Sequence, residues 1–280
     1  MAESGQGLSA LKKEKPIMSN FQLSTSIQRL KKYKPLIHEL VVRDLKIKYR
    51  RSFLGYLWSL LNPLMMMTIM TLVFSYMFRF DIPNYPLYLI CGQTLWNFFN
   101  ESTTASMISV LNNGALIRKV YIPKYIFPIS RVISSFVTMS FSLMAILIVM
   151  LVTRVSITWK LLLLPIPLVF LLLFCMGIGM FLSAFAVYFR DVLHLYNVVC
   201  MAWMYMTPIF YPVSALPEKV AFFFQFNPMY HYVTFFRDVV LYGTIPAASV
   251  WAGTAGFGLL FFTVGWLVFR KLQHNFILHV

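Results

Sequence analysis

Glu101 is the one acid well inside an apolar run, and Asn97 and Asn100 stand on the same stretch. An ionisable side chain at membrane depth is expensive, so such a residue points either to function or to a polar contact between helices. Read by itself, Glu101 is a transport residue or a carboxyl that holds helices together through hydrogen bonds. Acid–base pairs that could do covalent chemistry are sparse. Asp191 with His194 and Asp238 with His231 are loose candidates, and neither has the surrounding groups that acid–base catalysis needs. No GxxxxGK[ST], HExxH, DxD or GxSxG occurs, so the sequence assigns no P-loop, no catalytic residue and no metal ligand. Cys91, Cys175 and Cys200 sit in apolar runs without CxxC spacing and read as small buried hydrophobes. Asn100-Glu101-Ser102 fits a glycosylation pattern but lies within a span, where the match is chance.

Aromatic side chains offer a different chemistry. Rings stack on the apolar faces of sugars while keeping a polar tip, so an aromatic-lined path can pass a glycan without gripping it. Trp58, Tyr76, Tyr196, Trp203, Phe210 and Tyr211 fall on the first and fifth apolar runs. Phe222, Phe223, Phe224, Phe226, Tyr230 and Tyr232 fall on a later, broken segment. For any one of them an interfacial aromatic belt is the plainer reading. Tyr196, Cys200, Trp203 and Thr207 share one helical face and form the best candidate lining. The basic stretch around Ala115–Lys124, flanked by Asn112-Asn113-Gly114 and Ile122-Pro123, suits docking of a soluble partner or simply fixes topology.

The elements that must carry these residues are membrane helices. Of 280 residues, 59% are hydrophobic and only 12% charged, far from a soluble domain. The net charge of +15 gathers at segment ends, which argues for topology and anionic lipid and against nucleic acid. Residues 1–30 lack the apolar core of a signal peptide and read as a flexible cytoplasmic tail. Residues 31–52 read as an amphipathic interfacial helix. Its apolar stripe is Ile37, Val41, Leu45, Tyr49 and Phe53, and Arg43, Lys46, Arg50 and Arg51 lie mostly off it.

An uncharged stretch from Ser52 to Phe78 gives the first span, and apolar runs at 87–111, 132–153, 161–189, 192–211 and 247–269 give five more. Between the last two, residues 212–246 are broken by Pro217, Asn227-Pro228 and Gly243. The pieces near 218–226 and 229–242 are too short for a hydrocarbon core of about 30 Å and read as re-entrant. The expected fold is an all-α membrane protein. It has six transmembrane helices within residues 53–280, an N-terminal interfacial helix, and re-entrant outer helices between spans five and six. Lys and Arg number 19 on the side of the termini and 5 on the other, which predicts both termini in the cytoplasm. Gly179 with Ser183 and Ala252 with Gly256 are small-residue pairs that permit close helix contact.

RDLKIKYRRSFLGYLWSLLNPL, then LIRKVYIPKYIFPISR, then WMYMTPIFYPVSALP with FNPMYHYVTFFRD, keep the order and spacing of one group. From about Leu36 to the C-terminus the chain closely resembles the type-2 ABC exporter permeases that move O-antigen, capsule and teichoic-acid polysaccharides in bacteria. The resemblance implies a six-span subunit of the inner membrane that pairs as a homodimer and docks two copies of a separate ATPase, where ATP and Mg would bind. It implies that Leu36–Arg51 cups the ATPase and that Asn112–Lys124 is a coupling helix, with Leu116, Ile117, Arg118, Lys119 and Tyr121 making the contact. Segments 215–226 and 228–241 would be outer gate helices carrying Phe222, Phe223, Phe226, Asn227 and Pro228. The first and fifth spans would line the channel with Tyr76, Tyr196, Trp203, Thr207 and Phe210, and Arg50 and Arg51 would lie near the diphosphate of a polyprenyl-linked glycan. A type-2 exporter of a drug or small lipid, and a membrane-bound glycan-processing enzyme, are the competing readings.

Overall fold

The computed structural model describes residues 23–50, 52–77, 82–120 and 122–276. Every regular element among them is helical: α1 (Leu23–Tyr49), α2 (Leu57–Met77), α3 (Tyr85–Met107), α4 (Ser109–Asn112), α5 (Gly114–Lys119), α6 (Ile126–Val152), α7 (Pro165–Tyr188), α8 (Val192–Tyr205), α9 (Glu218–Phe224), α10 (Pro228–Val240) and α11 (Ala248–Leu272). The main unit begins within α1, at Ile37, and the part of α1 before it belongs to a separate unit.

Among the described residues, four segments are long and apolar enough to cross a membrane: Leu57–Phe74, Ile126–Val152, Trp159–Tyr188 and Ala248–Asn275. The two other expected spans differ for separate physical reasons. α3 has the length, at 23 residues, but 17 of them are buried inside the protein, so its surface has no need to match lipid. α8 stops after 14 residues at Tyr205, which is about 21 Å of helix and short of the ~30 Å hydrocarbon core. The cause is Pro208. A proline supplies no N–H to the helix and disfavours helical backbone in the residue before it, so the expected run 192–211 leaves the helix near its end.

The broken stretch after α8 exposes carbonyls that no helix satisfies, and α10 brings Arg237 to meet them. Its side chain is 5% exposed. Nη1 donates to the Pro208 carbonyl at 2.7 Å, Nη2 to Ile209 at 2.9 Å and Nε to Tyr88 at 3.2 Å. The guanidinium carbon lies 3.4 Å from the centre of the Tyr88 ring. No carboxylate among the described residues pairs with Arg237. Carbonyl dipoles and the ring face therefore offset its desolvation. Gly92 makes the room, because a Cβ there would stand 2.8 Å from Nη2. Tyr85 and Tyr88 complete the clasp by donating to the Phe210 and Tyr211 carbonyls at 2.9 and 2.8 Å.

α3 runs through the middle, with α2, α6, α7 and α10 packed around it. α7 and α11 approach until their backbones touch. A Cβ on Gly265 would sit 2.0 Å from the Gly177 carbonyl oxygen, and one on Gly177 would sit 2.2 Å from that of Phe261. Of the small residues singled out in the sequence, Gly179 does meet a neighbouring helix, at Ser106 of α3. Gly256 has open space around it, and the close approach of α11 runs through Gly258 and Gly265 instead.

Two expectations follow from this packing. Gly265→Leu drives a side chain into backbone that cannot move aside, and destabilisation of about 3 kcal/mol is expected. Gly256→Ala, facing open space, stays within about 0.5 kcal/mol of the parent; thermal unfolding of the two purified variants in detergent measures the contrast. Arg237→Met strands carbonyls in a dry interior, for a loss of about 3 kcal/mol. Arg237→Lys recovers only part of it, since an ammonium lacks the planar fork, and the same melting experiment ranks the three proteins.

Candidate functional site

Where the end of α8 faces α9 and the start of α10, the main unit holds an aromatic cavity of about 590 Å³. Trp203, Tyr205, Met206, Tyr211, Phe223 and Phe226 are among its walls, and Asn227 and Pro228 lie at its base. The chain builds this corner through one side chain. Asn227 caps α10 by accepting from the Met229 N–H at 3.0 Å, and Pro228 takes the first helical position, where its missing N–H does no harm. The same Asn227 accepts from Trp203 Nε1 at 2.9 Å and donates to Thr207 Oγ1 at 3.0 Å and to the Met206 carbonyl at 3.3 Å. The start of α10 is thereby tied to the last turn of α8. Tyr232 holds α10 from behind, with its hydroxyl donating to the Thr254 carbonyl at 3.1 Å. His231 is taken up structurally. Its Nε2 donates to the Gln225 carbonyl at 2.8 Å, and its ring occupies the space that Gly253 leaves open.

The residues read from sequence as channel lining fall in different places. Trp203 reaches the cavity, with its ring against Phe99 at 5.0 Å. Tyr196 and Thr207 are buried, and the Tyr196 hydroxyl donates to Thr103 Oγ1 of α3 at 2.6 Å. Phe210 is buried and stacks on Phe74 of α2 at 5.5 Å. The opposite face of α8, with Leu195, Val198, Val199, Met201, Tyr205 and Met206, is the exposed one. The Tyr76 side chain, Arg51 and Tyr121 lie outside the described residues. Phe222, Phe223 and Phe226 are exposed, and Phe222 stands edge-to-face against Phe223 at 6.2 Å and Phe226 at 5.6 Å.

At the other end, the second half of α1 is fastened to the helix bundle by charge. Asp44 is buried and pairs with Arg131 of α6 at 3.0 Å and with Arg43 at 3.3 Å, and Ser134 donates to it at 3.5 Å. Lys48 pairs with Glu101 of α3 at 2.8 Å, and Ser135 donates to the same carboxylate oxygen at 3.3 Å. Glu101 is thus a helix-to-helix tie with an identified partner. Leu40 and Val41 form the buried side of α1, and Phe53, expected on that stripe, is fully exposed beyond the helix end. Arg50 lies on the outward face with Glu39, Arg43, Lys46 and Ile47. In α5, Ile117 is buried and Leu116 half-buried, while Arg118 and Lys119 are exposed. Just past α5, Lys124 donates to the Gln273 carbonyl at 2.6 Å and lies 5.6 Å from the Phe276 ring centre, and burial lowers its pKa.

Sequence reasoning placed Arg237 among the outer topology charges and passed over Asp44, Arg131, Tyr85 and Tyr88. One signal was available: an arginine directly after Phe235 and Phe236, in an otherwise apolar stretch, is too costly to be idle. Its carbonyl partners had no such signal.

Residues 35–241 match the ABC-2 type transporter family. Over 244 residues the chain is 31% identical to the O-antigen export system permease protein RfbA of Klebsiella pneumoniae, covering 84% of this chain and 90% of that one. It is 28% identical over 252 residues to the RfbA protein of Myxococcus xanthus, with 89% and 97% covered. It is 21% identical over 256 residues to the polysialic acid transport protein KpsM of Escherichia coli, with 86% and 94% covered. A match through three quarters of its length, joined to relatives aligned nearly end to end, means that the chain belongs to the ABC-2 type transporter family.

Proposed function

We propose that this chain is the permease subunit of an ATP-driven exporter that carries a polyprenyl-diphosphate-linked polysaccharide, of O-antigen type, outward across the bacterial inner membrane. The observation that carries this reading is the alignment, over nearly the whole chain, with permeases named for O-antigen export. The aromatic cavity supports it, because ring faces against a mobile glycan give low-friction contact. ATP hydrolysis belongs to a separate ATPase, two copies of which dock on a permease homodimer. α2 suits the pairing or a lipid-facing role, with only 6% of its apolar window buried within the protein.

In this reading the subunit crosses the membrane six times with both termini in the cytoplasm, α3 and the α8–Tyr211 stretch supplying the spans beyond the four apolar segments. α9 and α10 form the outer gate. Trp203 and Asn227 join that gate to α8, while Tyr196, Thr207 and Phe210 hold α8 from the protein side. The inner surface divides the work. The outward face of α1 and the exposed charges of α5 receive the ATPase, with Ile117 as the buried anchor of α5. Arg50 and Arg51 attract the lipid diphosphate at the leaflet surface.

Reversing Arg118 and Lys119 to Glu tests the docking. Surface polysaccharide is expected to fall at least about tenfold, the equivalent of some 1.4 kcal/mol of lost coupling, while the ATPase still hydrolyses ATP. Wild-type export in that double variant counts against the docking surface, and a deletion strain with normal surface glycan counts against the cargo. Asn227→Ala removes a cap and the joint to α8, for a loss of about 1–2 kcal/mol. Combining it with Trp203→Phe should lower melting by less than the separate changes predict, because both delete the same bond.

A further inference from the structure

A second cavity lies apart from the outer one, where the end of α1 meets α2, α3 and α6. Its volume is about 200 Å³, enough for roughly half a dozen waters at about 30 Å³ each or for one ring-sized ligand. Lys48, Glu101, Asn62, Asn97, Thr94 and Trp58 supply the chemistry of its walls. Lys48 and Glu101 already neutralise each other at 2.8 Å, so the cavity presents no surplus positive charge to a phosphate. It presents instead hydrogen-bonding groups with spare capacity. Asn62 of α2 and Asn97 of α3 are exposed and make no side-chain hydrogen bond among the described residues. Thr94 is 3% exposed, and its hydroxyl has no hydrogen-bond partner among the described residues. Two free amides and an orphan hydroxyl at membrane depth are costly unless something polar meets them. Trp58, 45% exposed, adds a ring face on the rim.

Side-chain amides, a carboxylate, an ammonium and an indole around one ring-sized space recognise neighbouring hydroxyls on a flat, uncharged, polyhydroxylated ring. We propose that this cleft binds the sugar nearest the diphosphate of the lipid-linked substrate as it lies at the inner leaflet. The proposal rests on the exporter reading above. It adds a specificity element on the inner side: the permease would tell a glycan-bearing carrier from a bare one by the first sugar. Asn62 and Asn97 reach for adjacent ring hydroxyls, Glu101 accepts from a third, and Lys48 holds the carboxylate in place. Trp58 covers one face of the ring.

The test uses the full-length chain in nanodiscs of phosphatidylethanolamine and phosphatidylglycerol. Two probes are compared: polyprenyl-diphosphoryl-N-acetylglucosamine and the same polyprenyl diphosphate without sugar. The sugar-bearing lipid is expected to bind about tenfold more tightly, as for two net hydrogen bonds. Asn62→Ala and Asn97→Ala, both at exposed positions that leave the ion pair intact, should erase that preference and leave the sugar-free lipid unaffected. Equal binding of the two probes by the parent chain overturns the proposal, as does a preference that survives both substitutions. Loss of the preference when phosphatidylglycerol is raised would assign the cleft to bulk lipid and overturn it too. Equal binding of both lipids alongside intact surface glycan leaves the exporter reading standing. Failure of the parent to bind either lipid removes that reading and the sugar proposal together.

Discussion

A helix that must stop short of the membrane surface leaves carbonyls with nothing to bond, and here one guanidinium resolves that problem. Arg237 bonds the carbonyls of Pro208, Ile209 and Tyr88, and Tyr85 and Tyr88 bond those of Phe210 and Tyr211. Four of these five donors meet the stretch after α8, whose carbonyls would otherwise be irregular backbone left unsatisfied. With them, α8 can end early, and the space beyond its last turn becomes the aromatic cavity rather than more helix. The planar fork matters as much as the charge, because three donors in fixed directions meet three separate acceptors.

The end of the bundle that meets α1 solves a different problem with paired charges. α1 carries basic residues that suit a headgroup surface, and amphipathic attraction alone would let it slide along that surface. Asp44 with Arg131 and Lys48 with Glu101 fix it at two points one turn apart, against α6 and α3. Asp44 of the first pair is buried and both members of the second are half exposed, so the pairs differ in what they contribute. The buried carboxylate fixes position, since leaving either partner alone in the interior is strongly unfavourable. The exposed pair contributes little energy by itself, and its carboxylate remains reachable from the cleft beside it.

The helical character, the early apolar runs and the two short helices near residues 218–242 were legible because length, hydropathy and proline positions are local properties. The family resemblance was legible for the same reason, as ordered motifs. What the sequence hid were relations between distant residues. The face of α8 with Tyr196, Cys200 and Thr207 reads as lining by its aromatic and polar content, yet those side chains turn into the protein because α3 offers Thr103 and a buried ring cluster there. The partner of Glu101 was invisible for a similar reason: Lys48 stands 53 residues away and reads as one more topology charge. Gly258 and Gly265 escaped notice because their spacing of seven is two helical turns rather than one.

α3 explains why these separate devices behave as one structure. Tyr88 meets Arg237 near its start, Trp96 and Phe99 back Trp203 at the outer cavity, Glu101 holds Lys48, and Ser106 donates to the Pro128 carbonyl where α6 begins. A helix that only crossed lipid would need none of these polar groups, and one so polar could not face lipid. Burial by α2, α6, α7 and α10 is what allows it both. Each tie is made by a side chain fixed on a rigid element rather than on a loop. Motion at either end of the subunit must therefore either leave α3 in place and move elements around it, or carry both ends together. Since its buried face interlocks with four helices at once, the first alternative requires fewer contacts to break.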